Sequence, residues 1–461
     1  MTILADRIRG VLEAGRPAHR EIPPESALRP AGAVDDLDHV LGGEWRQLGD
    51  SRCFVVEHRR SPSEAHGDEV IGALASRLEE GADVAQLMGV PVAPPFVFFD
   101  LETTGLSGGA GTQAFLVGCG WFGRDRSFVT RQYMLVRFSD EVPMLAAVAG
   151  ELLRAGAVVS FNGKSFDAPL LESRYLYHRL DWVGADVPHL DMLHVARRFW
   201  GQQSQLDRGA GLQPRDRSPE GLRHVEPAPP DAAHCSLIAL ERRILGARRH
   251  GDVPGFEIPS RYFHFLRTGD AHPLASVFEH NRLDLLSLAS LTSRAVNLVR
   301  VGPAQVRHPR EALALGRIYA RAGLEARACH AYERAVDLSR AGSATLDLHV
   351  EALCALARTS RRAHRHEEVA RCWRQVLDVR GCPPRAAREA SEALAIHHEH
   401  RVRDFATATT FALRGAQQSA HPAWSQAARY RLARLQRKME RARAEADGLT
   451  FGESSDESRE T

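Results

Sequence analysis

The stretch FVFFDLETTG, residues 96–105, is the part of the sequence that decides the fold. It opens with an aromatic, apolar run bounded by two prolines and by Gly105, which predicts a buried strand. Side chains on a strand alternate between its faces, so Asp100 and Glu102 point the same way. Two neighbouring carboxylates repel each other unless a cation lies between them, and oxygen-only ligands favour Mg²⁺ or Mn²⁺. An isolated D-x-E pair is also common at the surface end of a strand, so the pattern needs support from elsewhere.

A second motif, AVVSFNGKSFDAPLLESR at residues 157–174, has the composition of a strand, a turn and a helix. The apolar run 157–161 is followed by an Asn-Gly-Lys-Ser turn, and a helical pattern then extends from Phe166 to His178. Asp167 is therefore expected near the carboxyl end of a strand, where open α/β sheets place their sites. The alternative is that Asp167 only caps the helix, a common role for aspartate.

The third motif is the amphipathic pattern from Leu274 to Val299, which predicts a long helix. His280 and Asp284 are one turn apart on one face near its start. A single pair of this kind is more often a feature of a helix surface than of a site. Three acidic motifs in this order, however, favour a cluster of carboxylates around metal ions, which is the arrangement that two-metal cleavage of phosphodiesters requires.

FDLETTG, N-x-x-x-F-D and H-N-x-x-D resemble the three exonuclease motifs of the DEDD superfamily, whose fold is ribonuclease-H-like. The middle motif, Asn162 to Asp167, is especially similar to that of proofreading exonuclease domains in family-B DNA polymerases. A closer resemblance, over about residues 52–300, is to the YprB-like family of ribonuclease-H-fold proteins. It is carried by LETTGLSGGAGTQAFLVG (101–118), NGKSFDAPLLESR (162–174), HLDMLHVARRFW (189–200), the segment 235–270 and HNRLDLLSLASL (280–291).

The resemblance implies a catalytic role for each acidic residue. Asp100, Glu102 and Asp284 would ligate one metal ion. Asp100 would also bridge to a second metal ion, which Asp167 would hold directly or through water. The cofactors implied are two divalent cations, Mg²⁺ or Mn²⁺, with the attacking water activated on the first. His280 would be the general base, because imidazole exchanges protons near neutral pH.

The chain departs from the better-known DEDD patterns at His280. Those enzymes usually carry a histidine five residues before the last aspartate, or a tyrosine four residues before it. Here His280 is four residues before Asp284, so a histidine has the tyrosine spacing. Three interpretations stay open: a general base, a residue that orients the water, or a helix residue bonded to Glu279 or to a backbone group.

Three further residues are candidates for contact with the substrate: Thr103, Asn162 and Lys164. Lys164 is one of only two lysines in the chain, and it lies beside Asp167, where it is placed to contact a phosphate. Asn162 either orients Asp167, contacts a phosphate or serves the turn. Asp191 is most simply a helix N-cap, with membership of the acidic cluster as the alternative.

Length and composition predict two or three domains in 461 residues, of which 44% are hydrophobic. The chain has no signal-peptide pattern and no apolar run long enough for a membrane span. Seven scattered cysteines without C-x-x-C favour a reducing, cytoplasmic compartment. Net charge is only +2, but residues 310–447 hold 25 Lys and Arg against 16 Asp and Glu. That excess indicates either phosphate contacts or the solvated surface of an Arg-rich protein.

Four regions are predicted along the chain. Residues 1–50 hold a short helix and a flexible Pro- and Arg-rich linker. The nuclease-like domain occupies residues 51–300, with a mobile insertion at 201–233. Residues 309–447 are expected to form tetratricopeptide-like helices, and residues 448–461 a disordered acidic tail.

The helical region is predicted from the residue spacing of a tetratricopeptide repeat. Units of this type bury their apolar faces only by stacking, so about three repeats and a capping helix, Trp424–Ala446, would form a small solenoid. Its surface either binds a partner protein or peptide, or packs on the nuclease-like domain as an appendage. The positions that match best are Leu315, Gly316, Tyr319, Ala328, Tyr332 and Ala335.

The predicted fold is an α/β ribonuclease-H-like mixed sheet flanked by helices, joined to an all-α tetratricopeptide-like solenoid. The predicted function is metal-dependent hydrolysis of phosphodiester bonds in single-stranded DNA or RNA, in the 3′→5′ direction, with no role at a membrane. Two alternatives are a structure-specific endonuclease with the same carboxylates and a non-catalytic scaffold that binds nucleic acid or protein. The sequence leaves DNA and RNA equally open, because recognition of the 2′-hydroxyl depends on pocket shape.

Overall fold

The computed structural model describes residues 37–85, 88–89, 92–105, 111–201, 235–341, 346–417 and 422–452. Residues 1–36 of the region predicted as an N-terminal helix and linker lie outside these residues, and residues 37–50 contain a short helix and a strand. Residues 202–233 of the predicted insertion and residues 453–461 of the predicted acidic tail also lie outside the described residues. In the described part of the chain, no helix combines the length and the apolarity needed to cross a membrane.

Most of the strands belong to one mixed sheet. The strands are β1 (Glu44–Leu48), β2 (Ser51–Arg60), β3 (Ala65–His66), β4 (Glu69–Val70), β5 (Phe96–Thr103), β6 (Ala114–Phe122), β7 (Phe128–Met134), β8 (Ala157–Ser160) and β9 (His189–Asp191). The seven-stranded sheet has the order β1-β2-β7-β6-β5-β8-β9, and β3 pairs only with β4. Neighbouring strands from β1 to β5 in that order pair antiparallel, whereas β5, β8 and β9 run parallel.

Strand β5 lies near the middle of the sheet because it is apolar on both faces. Phe96 and Phe98 pack into one hydrophobic core, and Val97 and Phe99 pack into the core on the other side. Such near-continuous apolar runs are typical of strands buried between two helical layers. The acidic pair follows this run at the carboxyl end of the strand, so the edge of the sheet that is richest in charge adjoins its most apolar part.

Helices cover the two faces of the sheet. They are α1 (Leu37–Leu41), α2 (Ile71–Glu80), α3 (Ala82–Ala85), α4 (Glu141–Leu152), α5 (Asp167–Tyr177), α6 (Met192–Trp200), α7 (Leu237–Leu240), α8 (Ile258–Thr268) and α9 (His272–Val301). The long helix predicted over 274–299 is α9, and it packs against β5, β6 and β7. The predicted mixed sheet with flanking helices is confirmed.

The rest of the described chain is helical, as predicted. Its helices are α10 (Pro309–Arg321), α11 (Glu325–Ala341), α12 (Leu346–Arg362), α13 (His366–Asp378), α14 (Pro384–His397), α15 (Phe405–Gln417) and α16 (Pro422–Gly452). Successive helices pack on each other, and a side chain at Gly316 would place its Cβ 2.3 Å from the ring of Tyr332. The glycine therefore allows α10 and α11 to approach closely. The last helix continues beyond Ala446, where the predicted capping helix ended.

The helical region shares one hydrophobic core with the sheet domain across residues 300–309. Trp200 Nε1 donates a hydrogen bond to Glu311 at 2.9 Å, and the Tyr319 hydroxyl donates to the Val299 carbonyl at 2.7 Å. Because these contacts are buried, the first helices of the C-terminal region are fixed to the end of α9.

Candidate active site

The structure brings the predicted acidic residues together from three separate segments. Asp100 and Glu102 lie on β5, Asp167 is the first residue of α5 just after β8, and Asp284 lies on α9. The position before α5 belongs to Phe166, which makes no side-chain cap. The alternative in which Asp167 merely caps its helix is therefore wrong, because the aspartate lies inside the first turn and faces the other carboxylates.

Burial, reinforced by neighbouring negative charges, sets the electrostatics of these acidic residues; we call Asp100, Glu102, Asp167 and Asp284 the carboxylate cluster. Burial and the neighbouring charges, Asp284 first among them, raise the pKa of Asp100 well above its ordinary value. Burial and the same neighbour likewise raise the pKa of Glu102. Burial and the charge of Asp191 raise the pKa of Asp167 to about 7. Buried acids in such proximity gain from either a proton or an external cation.

Asn281 connects α9 to the acidic end of β5. Its Nδ2 donates a hydrogen bond to Asp100 Oδ2 at 2.8 Å, and its Oδ1 accepts one from Gln132 Nε2 at 2.9 Å. A Cβ at Gly118 would lie 2.1 Å from Asn281 Oδ1, so only glycine lets the amide reach the sheet. The sequence motif H-N-x-x-D contained Asn281, but sequence reasoning assigned it no role.

Arg249 contributes a fixed positive charge beside the cluster. Its Nη2 donates hydrogen bonds to Asp284 Oδ1 and to Glu241 Oε2, and its Nη1 contacts Asp252 Oδ2 at 3.3 Å. The side chain is only 3% exposed. Burial opposes its charge, but Asp284 and Glu241 outweigh burial and raise the pKa of the guanidinium. One internal cation thus faces four carboxylates and satisfies one of them.

His280 is held between two carboxylates. Its Nδ1 lies 2.7 Å from Asp252 Oδ1, and its Nε2 lies 3.5 Å from Asp284 Oδ2. Burial opposes ionisation of Asp252, but the hydrogen bond with His280 outweighs it and lowers the pKa of the aspartate. An ionised Asp252 only accepts, so Nδ1 carries the proton. The partner of His280 is therefore Asp252, not the Glu279 or backbone group that one interpretation named.

The turn before α5 is organised by Asp191. Its carboxylate accepts from the backbone nitrogen of Leu193 at 3.0 Å, which confirms the predicted N-cap of α6. It also accepts from the backbone nitrogen of Asn162 at 2.8 Å and of Lys164 at 3.3 Å. One side chain thus caps a helix and shapes the neighbouring turn, and its charge reaches Asp167.

The three candidate substrate contacts surround the cluster in different ways. Asn162 has φ +68°, the left-handed region that asparagine tolerates, so turn chemistry accounts for its presence. The Lys164 side chain is exposed beside this turn. The Thr103 hydroxyl donates a hydrogen bond to the Gly105 carbonyl at 2.9 Å. Contact of any of the three with a substrate stays a prediction.

The donor chemistry of the cluster fits divalent cations. Carboxylates are the hard oxygen ligands that Mg²⁺ and Mn²⁺ prefer, and burial together with neighbouring negative charges raises the pKa values of Asp100 and Glu102. Among the described residues, no three Asp, Glu, His or Cys side chains are yet arranged around one point suited to a metal ion. One oxygen of Asp284 is engaged by Arg249 and one of Asp100 by Asn281. Ligation therefore requires the carboxylates to rotate onto a common centre.

Comparison with known proteins agrees with this geometry. Residues 97–296 match the family model described as RNase_H superfamily, a range that begins in β5 and ends in α9. This part of the chain is a nuclease-like domain of the ribonuclease H superfamily. The chain is also similar to Uncharacterized protein YprB of Bacillus subtilis (strain 168), with 35% identity over 196 residues. That alignment covers 42% of this chain and 40% of the relative, so the chain spans well under half of the protein it matches.

The predicted resemblance to this family is thereby confirmed. Two charged residues next to the cluster were nevertheless missed by sequence reasoning: Arg249 and Asp252. Arg249 is one arginine among many, and Asp252 contacts a histidine that lies 28 residues away. Both lie within the segment 235–270 that carried the family resemblance, which was the only signal that pointed to them.

Proposed function

We propose that the domain is a metal-dependent nuclease that hydrolyses phosphodiester bonds of single-stranded nucleic acid from the 3′ end. One observation carries this proposal: the half-buried Asp100 and the buried Glu102 lie among further carboxylates, and desolvation and those neighbours raise their pKa values. Repulsion between carboxylates does not favour folding. Two-metal cleavage of phosphodiesters, in contrast, needs several carboxylates close together to hold the cations.

The proposed ligands divide between two cations. Asp100, Glu102 and Asp284 would hold one, and Asp100 together with Asp167 would hold the other. When bound, the cations would act as Lewis acids and lower the pKa of the attacking water. Asn281 engages one oxygen of Asp100 through its hydrogen bond, which leaves the other oxygen of Asp100 free of this bond.

His280 is the proposed general base. Because Nδ1 donates a hydrogen bond to Asp252, Nε2 is the ring nitrogen left to accept a proton, and it lies on the side of Asp284. Asp252 fixes both the tautomer and the ring orientation, as carboxylate partners of catalytic histidines do. Arg249 bonds to both Asp252 and Asp284, so it holds these two carboxylates in place on either side of His280.

The exposed Lys164 is the proposed contact for a phosphate of the substrate, and Thr103 and Asn162 are two further proposed contacts. We also infer a cytoplasmic location, because the seven cysteines are free and scattered. A protein partner at the tetratricopeptide-like helices belongs to the same set of proposals, and the basic residues of that region are compatible with it.

Cleavage of 5′-labelled single-stranded DNA and RNA by the purified protein, with Mg²⁺ or Mn²⁺, tests the function. The proposal expects products that shorten one nucleotide at a time. The Asp100→Asn and Asp284→Asn proteins should produce none, and Asp186→Asn, which changes an exposed aspartate outside the cluster, should match the wild type.

The product pattern separates the alternatives. A single internal cut that also disappears in Asp100→Asn would replace the exonuclease with an endonuclease that uses the same carboxylates. Failure to cleave single strands or branched duplexes with either metal would reject the enzyme and favour the binding scaffold.

A further inference from the structure

A cavity of about 790 Å³ lies where α2, α9 and the first helices of the C-terminal region meet. It has no part in the carboxylate cluster. Its lining is mainly polar and is dominated by arginines from three helices and one loop. The charged lining residues are Asp68, Glu69, Arg77, Arg294, Arg307 and Arg334.

The positive charges in this arginine cavity exceed their partners. Arg77 is paired with Glu69, whereas Arg294 reaches its nearest carboxylates only at 3.8 and 4.0 Å. Its Nε is sheltered from solvent and lacks a hydrogen-bond partner among the described residues. Four guanidinium groups against the carboxylates of Asp68 and Glu69 leave a net charge of +2 in the lining.

The other two arginines have no carboxylate partner in the described part of the chain. Arg334 Nη2 donates to the Val306 carbonyl at 3.1 Å, and Arg307 is exposed to solvent. Planar guanidinium donors that lack carboxylate partners suit the oxygens of phosphate groups, with which arginine forms forked hydrogen bonds.

The arginine cavity and the carboxylate cluster share one helix. Arg294 is ten residues beyond Asp284 on α9, which corresponds to ~15 Å along the helix axis. A hydrogen bond also connects the two sites. The backbone nitrogen of Asp68, in the cavity lining, donates to the Leu245 carbonyl at 2.8 Å, and Leu245 lies just before the loop that carries Arg249. Grooves of single-strand-binding domains hold roughly 4–16 nucleotides, so one strand is long enough to reach both sites.

We propose that the arginine cavity binds backbone phosphates of the same single strand whose 3′ end enters the carboxylate cluster. This inference rests on the proposed nuclease function and adds a second contact point for the substrate. The chain just after α9 then has a defined role, since residues 304–307 and Arg334 of α11 complete the cavity. Free nucleotides are the other source of the same phosphate chemistry.

Fluorescence anisotropy with 5′-fluorescein oligonucleotides tests the inference. The binding of strands of about 3 and about 12 nucleotides is measured over a range of salt in the Asp100→Asn background with Mn²⁺. Arg307→Gln/Arg334→Gln should weaken binding of the long strand and leave the short one unchanged. For single strands, the slope of log K against log salt should fall by ~0.7 for each phosphate that the variant no longer neutralises, or by ~1.4 for the pair.

The matched control is Arg124→Gln/Arg179→Gln, which removes two exposed charges that do not line the arginine cavity. Arg124 lies in the β6–β7 turn, and Arg179 follows the far end of α5. Because Arg334 also bonds to a backbone carbonyl, Arg307→Glu serves as a second variant, and thermal melting verifies that each protein is folded.

Equal affinities and equal salt slopes in the cavity variants and the control would overturn the inference. A second outcome would also overturn it. If inorganic phosphate or a mononucleotide bound the arginine cavity and displaced the long strand from that cavity only, the ligand of the cavity would be a free phosphate compound. Weaker binding by the cavity variants of a protein that cleaves nothing would support the phosphate site while rejecting the nuclease.

Discussion

Two regions of this molecule bury acidic side chains, and they balance the charge in opposite ways. In the C-terminal helices, the Glu399 side chain has no exposed surface and accepts hydrogen bonds from Arg434 at 2.7 Å and Lys438 at 2.8 Å. Burial opposes its ionisation, but these bonds outweigh burial and lower the pKa of Glu399 to about 2. In the carboxylate cluster, burial and repulsion raise the pKa values of Asp100 and Glu102.

The comparison distinguishes a carboxylate that is neutralised by cationic side chains of the same chain from one that is left to bind an external cation. Glu141 follows the pattern of Glu399, because Arg174 and His178 surround it at 2.6 and 2.7 Å. The same chain therefore has the means to neutralise a buried acid when only folding is at stake. At the end of β5 the described residues supply the four carboxylates with one hydrogen bond from an arginine, Arg249 to Asp284, which favours a cation from outside.

The largest expected effect is on activity. Asp100→Asn should reduce cleavage by ~10³-fold or more, because losing a bridging metal ligand removes several kcal/mol of transition-state stabilisation. The metal-free variant should be at least as stable as the wild type in urea, since a repelling charge is gone. Single-turnover cleavage beside Asp186→Asn measures the loss, and activity within ~10-fold of the wild type would contradict the assignment.

The next effect is stabilisation by metal. Saturating Mn²⁺, at about 100 times its dissociation constant, should raise the free energy of unfolding by ~2.7 kcal/mol. Glu399→Gln should keep this response, and Asp100→Asn/Asp284→Asn should lose it. Denaturant melts with and without Mn²⁺ measure it, and an equal shift in the double variant would place metal binding elsewhere.

A smaller loss of stability is expected at the other member of the comparison. Glu399→Gln should lower the free energy of unfolding by about 2 kcal/mol, the usual worth of hydrogen bonds to a charged group. Arg434 and Lys438 are 45% and 36% exposed, so water replaces part of what they lose. Glu440→Gln is the control, because Glu440 lies on α16 with Arg434 and Lys438. Equal urea midpoints for the two variants would disprove a structural role for Glu399.

The smallest effect is a dependence of stability on pH. The folded pKa of Asp167 is about 7, above the ordinary value of ~3.9, so the folded state binds the proton more tightly. Its contribution to stability is complete below pH ~4 and is lost as pH rises through about 7. Metal-free protein should therefore be about 1 kcal/mol more stable at pH 6 than at pH 7 through this group.

Asp167→Asn should abolish that difference, and urea melts at both pH values measure it. The sign distinguishes the two regions, because the lowered pKa of Glu399 makes its stabilisation constant across this range and lost only as pH falls toward about 2. The same pH response in wild type and Asp167→Asn would show that other groups produce it.

The sequence by itself determined the secondary structure around the site and the identity of its acids. A short apolar run predicted β5, and an amphipathic pattern predicted α9, because both patterns are local in the chain. The spacing of residues such as Gly316 and Tyr332 likewise predicted tetratricopeptide-like helices, because that pattern also recurs at fixed intervals. The structural role of these residues depends on one helix or strand, or on two consecutive ones, so it can be predicted from the sequence.

Tertiary structure alone decided how the acids are partnered. The contacts of Asp252 with His280, of Arg249 with Asp284 and of Asn281 with Asp100 join residues 28 to 181 positions apart. Nothing periodic marks such pairs, because a hydrogen bond or an ion pair depends on where folded segments meet and not on sequence neighbours. The arginine cavity arises in the same way, since no single segment contains more than one or two of the charges that the fold gathers around it.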